Sequence, residues 1–290
     1  MELRIANSKF SSPLSASETH PPIGIFDSGL GGLSVFRLLP ALLPAERFVY
    51  VADSGRAPYG PRPQEEIIEF SEEIVEYLID VEQCKVIVIA CNTATAAAAD
   101  VLRKRYPKIP IIGMEPAVKP AAQATISGKV GVMATAGTFG SERYAELMSQ
   151  YGRDIEVIED PCVGLVTLIE EGELSSPRLS AKLETIVTPM IEAGVDTIVL
   201  GCTHFPLVQE AIAETAGEGV TIIDPAPAVA RQLVRVLETE ELLADPTDNL
   251  LSFRQHTVLT SGDLIRLIKA LHSLLDPETA EGLLVSECRF

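Results

Sequence analysis

Apolar residues arrive along this chain in short, dense bursts, and between the bursts they thin to three- and four-residue spacing. The bursts are candidate strands: Ile23–Phe26, Phe48–Val51, Val86–Ala90 and Ile109–Ile112, then Val130–Ala134, Ile155–Ile158, Thr197–Gly201 and Val220–Ile223. Apolar runs without alternation fit strands buried on both faces, as in a parallel sheet. Over 66–80 the sequence EIIEFSEEIVEYLID predicts an amphipathic helix. Strand and helix in alternation predict an α/β protein with parallel strands.

The two groups of strands look like copies. Displaced by 111 positions, VIVIAC (86–91) lies over TIVLGC (197–202), and IPIIGMEPAV (109–118) lies over VTIIDPAPAV (220–229). Nearer the start of each half, GIFDSG (24–29) lies over GVMATA (131–136) at a displacement of 107, so four added residues reconcile the two matches. Duplication predicts two pseudosymmetric parallel-sheet α/β domains facing each other across a cleft. Residues 22–114 with 226–290 would form one and 115–225 the other, the chain crossing near Gly113–Pro116 and returning near Asp224–Pro227. Helices around 228–240 and 262–275 would complete the first domain. Residues 1–21 are rich in Ser and Pro, lack the apolar core of a signal peptide, and read as a flexible tail.

Duplication also puts a cysteine in the same place twice. Cys91 and Cys202 each follow a buried strand and are expected to open the next helix. In open parallel sheets, ligands bind beyond the carboxyl ends of the strands. Two domains packed face to face would bring these thiols to opposite walls of one cleft. A thiol near a helix N-terminus is expected to have a lowered pKa, because the dipole favours thiolate. Small polar residues follow each one, Asn92-Thr93 and Thr203-His204, whereas Cys84, Cys162 and Cys288 read as small core hydrophobes. Two opposed thiols suit the inversion of a stereocentre: one removes a proton from one face and the other returns one to the opposite face.

Charge and cysteine usage narrow the partners. A net charge of −18 repels a nucleic-acid backbone or an anionic membrane. No apolar run approaches the ~18 residues of a membrane span. Five cysteines, an odd number without a CxxC pair, fit reduced thiols in a cytoplasm.

Other chemistries fit less of the chain. Gly29-Leu30-Gly31-Gly32 after a strand, with Asp53 ending the next, resembles a dinucleotide fingerprint. Its third position is Ser34, however, and it leaves two matched cysteines unexplained. Cys202-Thr203-His204 offers two metal ligands, but the other three histidines sit in unrelated contexts, so no metal is expected. A cysteine hydrolase needs one thiol and one base. A binding module that has lost activity would not need both thiols and their neighbours intact.

Four blocks, FDSGLGG (26–32), PYG (58–60), ACNTATA (90–96) and GCTHFP (201–206), together resemble the signatures of the glutamate racemase family, within the aspartate/glutamate racemase superfamily. Their order and spacing match from about Ile23 to Val229. The resemblance implies a cofactor-independent isomerase that interconverts L- and D-glutamate by two-cysteine proton transfer at Cα and supplies D-glutamate for peptidoglycan. It implies a small-molecule substrate and a cytoplasmic protein, with a homodimer as the candidate assembly. Cys91 and Cys202 would be the acid/base pair, Asp27 supporting Cys91, and His204 with Glu170 supporting Cys202. Asp27, Ser28, Tyr59, Gly60, Asn92, Thr93, Thr135, Thr138, Thr203 and His204 would hold the substrate. One departure is visible: the family's Cys-Pro pair is expected before LVTLIE (165–170), and this chain reads Pro161-Cys162-Val163. Aspartate racemases share the architecture and the cysteine pair, and the FDSGLGG and GCTHFP blocks favour glutamate.

The residues themselves agree in part. Asp27 ends a strand, so its carboxylate can point into the cleft or cap a helix. Glu170 pairs with Tyr59 at the 111 displacement, yet it could equally be a solvated helix charge. Asp27 has Ala134 as its counterpart, so the two halves have diverged chemically.

Overall fold

Each apolar burst becomes a strand of one of two parallel sheets in the computed structural model, which describes residues 4–5, 21–245, 256–281 and 283–290. In chain order the strands are β1 Arg4–Ile5, β2 Ile23–Asp27, β3 Phe48–Ala52, β4 Val86–Ile89, β5 Ile111–Gly113, β6 Lys129–Met133, β7 Glu156–Asp160, β8 Thr197–Leu200, β9 Thr221–Ile223, β10 His256–Thr260 and β11 Leu283–Glu287. One sheet runs β1-β11-β10-β3-β2-β4-β5 and the other β7-β6-β8-β9.

The sheets repeat one another in order and register. Ile23 faces Val86 across β2 and β4, as Val130 faces Thr197 across β6 and β8. Ile87 faces Ile111 as Ile198 faces Ile222. These pairings are the ones that displacements of 107 and 111 require. In the second strand of each half, Ile23 faces Phe48 and Val130 faces Val157, a displacement of 109. The four added residues thus enter two at a time, one pair on each side of that strand.

Both faces of the larger sheet are buried, which is why its strands do not alternate. Ile23, Ile25, Tyr50 and Val88 pack on one face with Ala230, Leu233 and Leu237 of the helix Ala226–Thr239. Phe26, Val49, Val51 and Ile89 pack on the other with Ile74, Val75 and Leu78 of the helix Gln64–Asp80. That helix buries Ile67, Ser71, Ile74, Val75 and Leu78, one stripe at helical spacing, and carries Glu65 and Glu66 in its first turn, where the dipole favours them. Val118 and Ala121 pack against the second sheet through Val130, Val132 and Val199. The chain therefore changes sheet after Gly113 and again after Ile223.

The C-terminal region differs from expectation. Its helices Ala226–Thr239 and Leu264–Leu274 were expected, but β10 and β11 extend the sheet beyond β3. β10 pairs in parallel with β3, Thr257 facing Val49, a partnership across some two hundred positions that no local pattern announces. Arg4–Ile5, within the stretch read as a tail, pairs with β11; most of 1–21 lies outside the described residues. Among the described residues no helix is long and apolar enough to cross a membrane.

Candidate active site

The carboxyl ends of β2, β4, β6 and β8 face one another, and what the chain does just beyond each end builds the cleft. After β2 it turns sharply. Asp27 is fully buried, its Oδ2 accepting from Gly29 N at 2.8 Å and its Oδ1 from Thr203 Oγ1 of the other half at 3.0 Å. The first bond closes an Asx turn, and the helix Leu33–Phe36 begins at Gly32 without a side-chain cap, so Asp27 is not a helix cap. Tyr50 Oη donates to Gly29 O at 2.9 Å, and Leu30 N donates to Glu170 Oε1 at 2.7 Å. The opposite wall comes so close that a Cβ on Gly31 would lie 2.5 Å from His204 Nδ1. Only glycine fits there.

Cys91 caps the helix Asn92–Arg105, its Sγ accepting from Ala94 N at 3.4 Å and donating to Ser28 Oγ at 3.6 Å. The dipole of that helix favours thiolate, as expected from the sequence. Burial and the neighbouring Asp27 carboxylate outweigh it and push the Cys91 thiol up to about 12. The expected lowering is therefore reversed, and Cys91 is held as a thiol. Asp27 makes no hydrogen bond to Cys91 among the described contacts; Ser28 does. Burial also raises the Asp27 carboxyl, against the opposing pull of His204.

Cys202 follows β8 and Gly201, but it does not open an α-helix. A 3-10 turn, Phe205–Val208, intervenes before the helix Gln209–Ala216, and Pro206 brings no N–H to that turn. The partner of Cys202 is a side chain: its Sγ lies 3.6 Å from His204 Nδ1, and His204 Nε2 lies 2.6 Å from Glu170 Oε1. Burial works against an imidazolium, yet the hydrogen bonds to Cys202 and Glu170 outweigh it and hold His204 well above the ordinary histidine range. Both ring nitrogens then donate, one to sulfur and one to carboxylate. Despite the unusual Pro161-Cys162 order before it, Glu170 sits inside this cluster.

Hydroxyls meet across the same gap. Thr93 Oγ1 and Thr135 Oγ1 are 2.9 Å apart, and Thr135 Oγ1 is 3.1 Å from Thr138 Oγ1. Asn92 Nδ2 donates to Met114 O at 3.3 Å, while its Oδ1 is buried without a hydrogen-bond partner among the described residues. Gly60 abuts Thr135, with room for a Cβ only 3.1 Å from Thr135 Cβ. Tyr59 is buried and turns its hydroxyl to Asp53, so any contact from position 59 to a ligand would come through its backbone. A cavity of about 200 Å³, lined in part by Leu30, Pro58, Val166, Glu170 and Arg266, opens beside the cluster.

The structure thus gathers Asp27, Ser28, Cys91, Glu170, Cys202, Thr203 and His204 around the segment after β2, with Thr93, Thr135 and Thr138 hydrogen-bonded across the same gap and Asn92 beside Thr93. Sequence reasoning missed Tyr50 and the Leu30 N–H, which carry no local signal. It noticed Asp53 only as a ribose ligand. That carboxylate is spent on Tyr59, on Arg56 Nε at 2.7 Å and on Ser261 Oγ at 2.5 Å, which removes the acidic residue the dinucleotide reading needs. Among the described residues no group of three or more His, Cys, Asp or Glu is arranged to hold a metal ion.

Known proteins resemble this chain over most of its length. Residues 24–233 match the family described as Asp/Glu/Hydantoin racemase. A glutamate racemase from Pseudomonas paraeruginosa is 52% identical over 223 residues, covering 77% of this chain and 84% of that one. The crystal structure of glutamate racemase from Francisella tularensis in complex with D-glutamate superposes with a TM-score of 0.79 at 29% identity, covering 93% of this chain and 98% of that one. Escherichia coli glutamate racemase, crystallised with L-glutamate and an activator, gives the same TM-score and identity, covering 92% of this chain and 98% of that one.

Proposed function

The chain belongs to the Asp/Glu racemase family and is an isomerase of the glutamate racemase type; on that premise we propose that Cys91 and Cys202 move a proton on and off the substrate Cα from opposite faces. One observation carries this reading. The equivalent cysteines of the two halves reach the same segment after β2: Cys91 bonds Ser28, Cys202 connects through His204 and Glu170 to Leu30 N, and Asp27 of that segment accepts from Thr203.

The two thiols divide the work. Cys202, beside the His204 imidazolium, takes the Cα proton of one hand, and Cys91, held as a thiol, returns a proton to the other face. The roles exchange for the opposite hand. One proton leaves carbon and one arrives, so no electrons need a further carrier. Asn92 Oδ1 and the Asp27 carboxylate accept from the substrate ammonium, and a cation there eases the loss of the Cys91 proton. The Thr93, Thr135 and Thr138 hydroxyls, with the backbone of Tyr59, Gly60 and Thr203, receive the carboxylates. Charge built up on the substrate is thereby met by preorganised donors.

Supply of D-glutamate for peptidoglycan, a cytoplasmic location and a homodimer belong to the same proposal. So does the partition into 22–114 with 226–290, and 115–225. The test is loss of optical rotation by purified protein offered L-glutamate and L-aspartate separately, with nothing added. Aspartate is one methylene shorter and leaves donors unpaired, so a preference of about a hundredfold is expected. Comparable kcat/KM for the two would overturn the preference for glutamate, and no loss of rotation for either would refute a racemase.

A further inference from the structure

The first half carries a device that the second half lacks. Asp53, immediately after β3 and fully buried, accepts from the Tyr59 hydroxyl, from Arg56 Nε at 2.7 Å and from Ser261 Oγ at 2.5 Å. Ser261 stands immediately after β10. Its Oγ also accepts from Gly55 N at 3.0 Å, and its own N–H donates to Ala52 O at 3.1 Å. The two loops lie backbone against backbone: a Cβ on Gly55 would stand 2.6 Å from Ser261 O, and one on Gly262 would stand 2.9 Å from Ser54 Cβ. Arg56 closes the arrangement from outside. Its guanidinium pairs with Glu73, stacks 4.2 Å over Phe70, and lies 5.5 Å from the ring of Phe290, beyond β11. The far end of the same loop reaches the second sheet, where a Cβ on Gly137 would lie 2.8 Å from Gly60 O.

From this geometry we propose that Asp53, Arg56 and Ser261 are positioning residues for the reaction, and that β10 and β11 act through them to set where the Tyr59–Gly60 backbone meets the substrate carboxylate. This rests on the reading above that Tyr59 and Gly60 bind substrate. It also accounts for strands that the duplication does not explain. The sheet of the second half ends at β7, with no added strands beyond it among the described residues.

Ser261→Ala removes one donor to Asp53 and one acceptor for Gly55 and leaves both thiols untouched. KM for L- and for D-glutamate should rise about tenfold with kcat within about twofold, and Ser261→Thr should restore KM. Arg56→Lys keeps the charge but loses the stacking and the planar fork, so a smaller rise in KM is expected. Hydrogen exchange without substrate reads the brace independently: amides of 54–62 should lose protection in Ser261→Ala while those of β2 and β4 keep theirs. Unchanged KM in Ser261→Ala, a fall in kcat alone, or loss of protection spread over the whole sheet would each overturn the proposal. If wild type fails to racemise glutamate, the proposed function falls, while the exchange measurement still reports on the brace.

Discussion

The two halves share a backbone and an equivalent cysteine, and differ in nearly every side chain around it. In the first, Cys91 caps a helix of 14 residues beside Ser28 and Asp27, and burial holds it protonated. In the second, Cys202 precedes a 3-10 turn and faces His204, whose imidazolium is held by Glu170. Asp27 of the first half corresponds to Ala134 of the second, so no second carboxylate mirrors it. The repeated scaffold supplies two facing walls; in the proposed mechanism Cys91 is the acid and Cys202 the base for one hand of the substrate, and the roles exchange for the other. Even the feet of the equivalent strands diverge. Lys85 forms a buried pair with Glu46 at 2.7 Å, while its counterpart Asp196 accepts from Thr125 Oγ1, Ile126 N and Ser127 N at 2.6, 2.7 and 2.6 Å.

Removing either sulfur abolishes the pairing of walls and should have the largest effect. Cys91→Ala and Cys202→Ala should each lower racemisation by about 10²–10⁴-fold in both directions, read by optical rotation. A single variant that kept wild-type rates would show that one thiol suffices.

His204→Asn tests the basic wall and should cost less, about 10²-fold in kcat/KM. Hydrogen bonds to Cys202 and Glu170 keep His204 charged above the ordinary histidine range, so wild-type activity should persist as pH rises past 6.5 and decline only at a higher, alkaline value. The variant should lose that alkaline limb. The stability that His204 contributes has the same sign: it is complete below 6.5 and lost as pH rises through the raised value, which pH-dependent denaturation would follow. An alkaline limb unchanged in the variant would assign it to another group.

Asp27→Asn probes the acidic wall. L- and D-glutamate have equal free energy, so kcat/KM must match in the two directions for every variant, whatever happens to kcat and KM singly. Asp27→Asn and His204→Asn should therefore shift kcat and KM differently in the two directions, and in different patterns. Identical patterns would mean that the two walls are not specialised.

Asp196→Asn is the mildest change and lies away from the cleft. Burial works upward on this carboxyl, but the hydrogen bonds from Thr125, Ser127 and Ile126 outweigh it and hold it well below the ordinary carboxylate range. Its stabilisation is thus present above about pH 4 and lost as pH falls through the lowered value. The variant should melt a few degrees lower at neutral pH, about 2–4 °C for each kcal/mol lost, with unchanged kcat. Equal melting temperatures would remove the carboxylate from the account of the second half's stability.

Much of this contrast is legible in the amino-acid sequence, because duplication leaves its mark there. VIVIAC over TIVLGC places both cysteines beyond equivalent strands, and the register of β4 and β8 agrees with it. The three strands β1, β10 and β11 have no counterpart in the other half, and β10 finds its partner β3 only in space, so periodicity cannot announce them. The protonation of Cys91 escapes the sequence for a related reason. A helix N-terminus can be read from Asn92 onward, whereas the burial and the Asp27 carboxylate that override it come from folding. Asp53 resembles a ligand residue in sequence because what occupies it, Ser261, lies 208 positions away.

Proton transfer between opposed walls is tested most directly in D₂O. L-glutamate should be incubated with the protein, the reaction stopped early, and deuterium at Cα measured separately in the two enantiomers. Two opposed thiols predict D-glutamate that carries deuterium, delivered from the exchanged second thiol, and recovered L-glutamate that is nearly free of it. Recovered L-glutamate labelled as fast as product forms, or D-glutamate that keeps the original proton, would contradict the account.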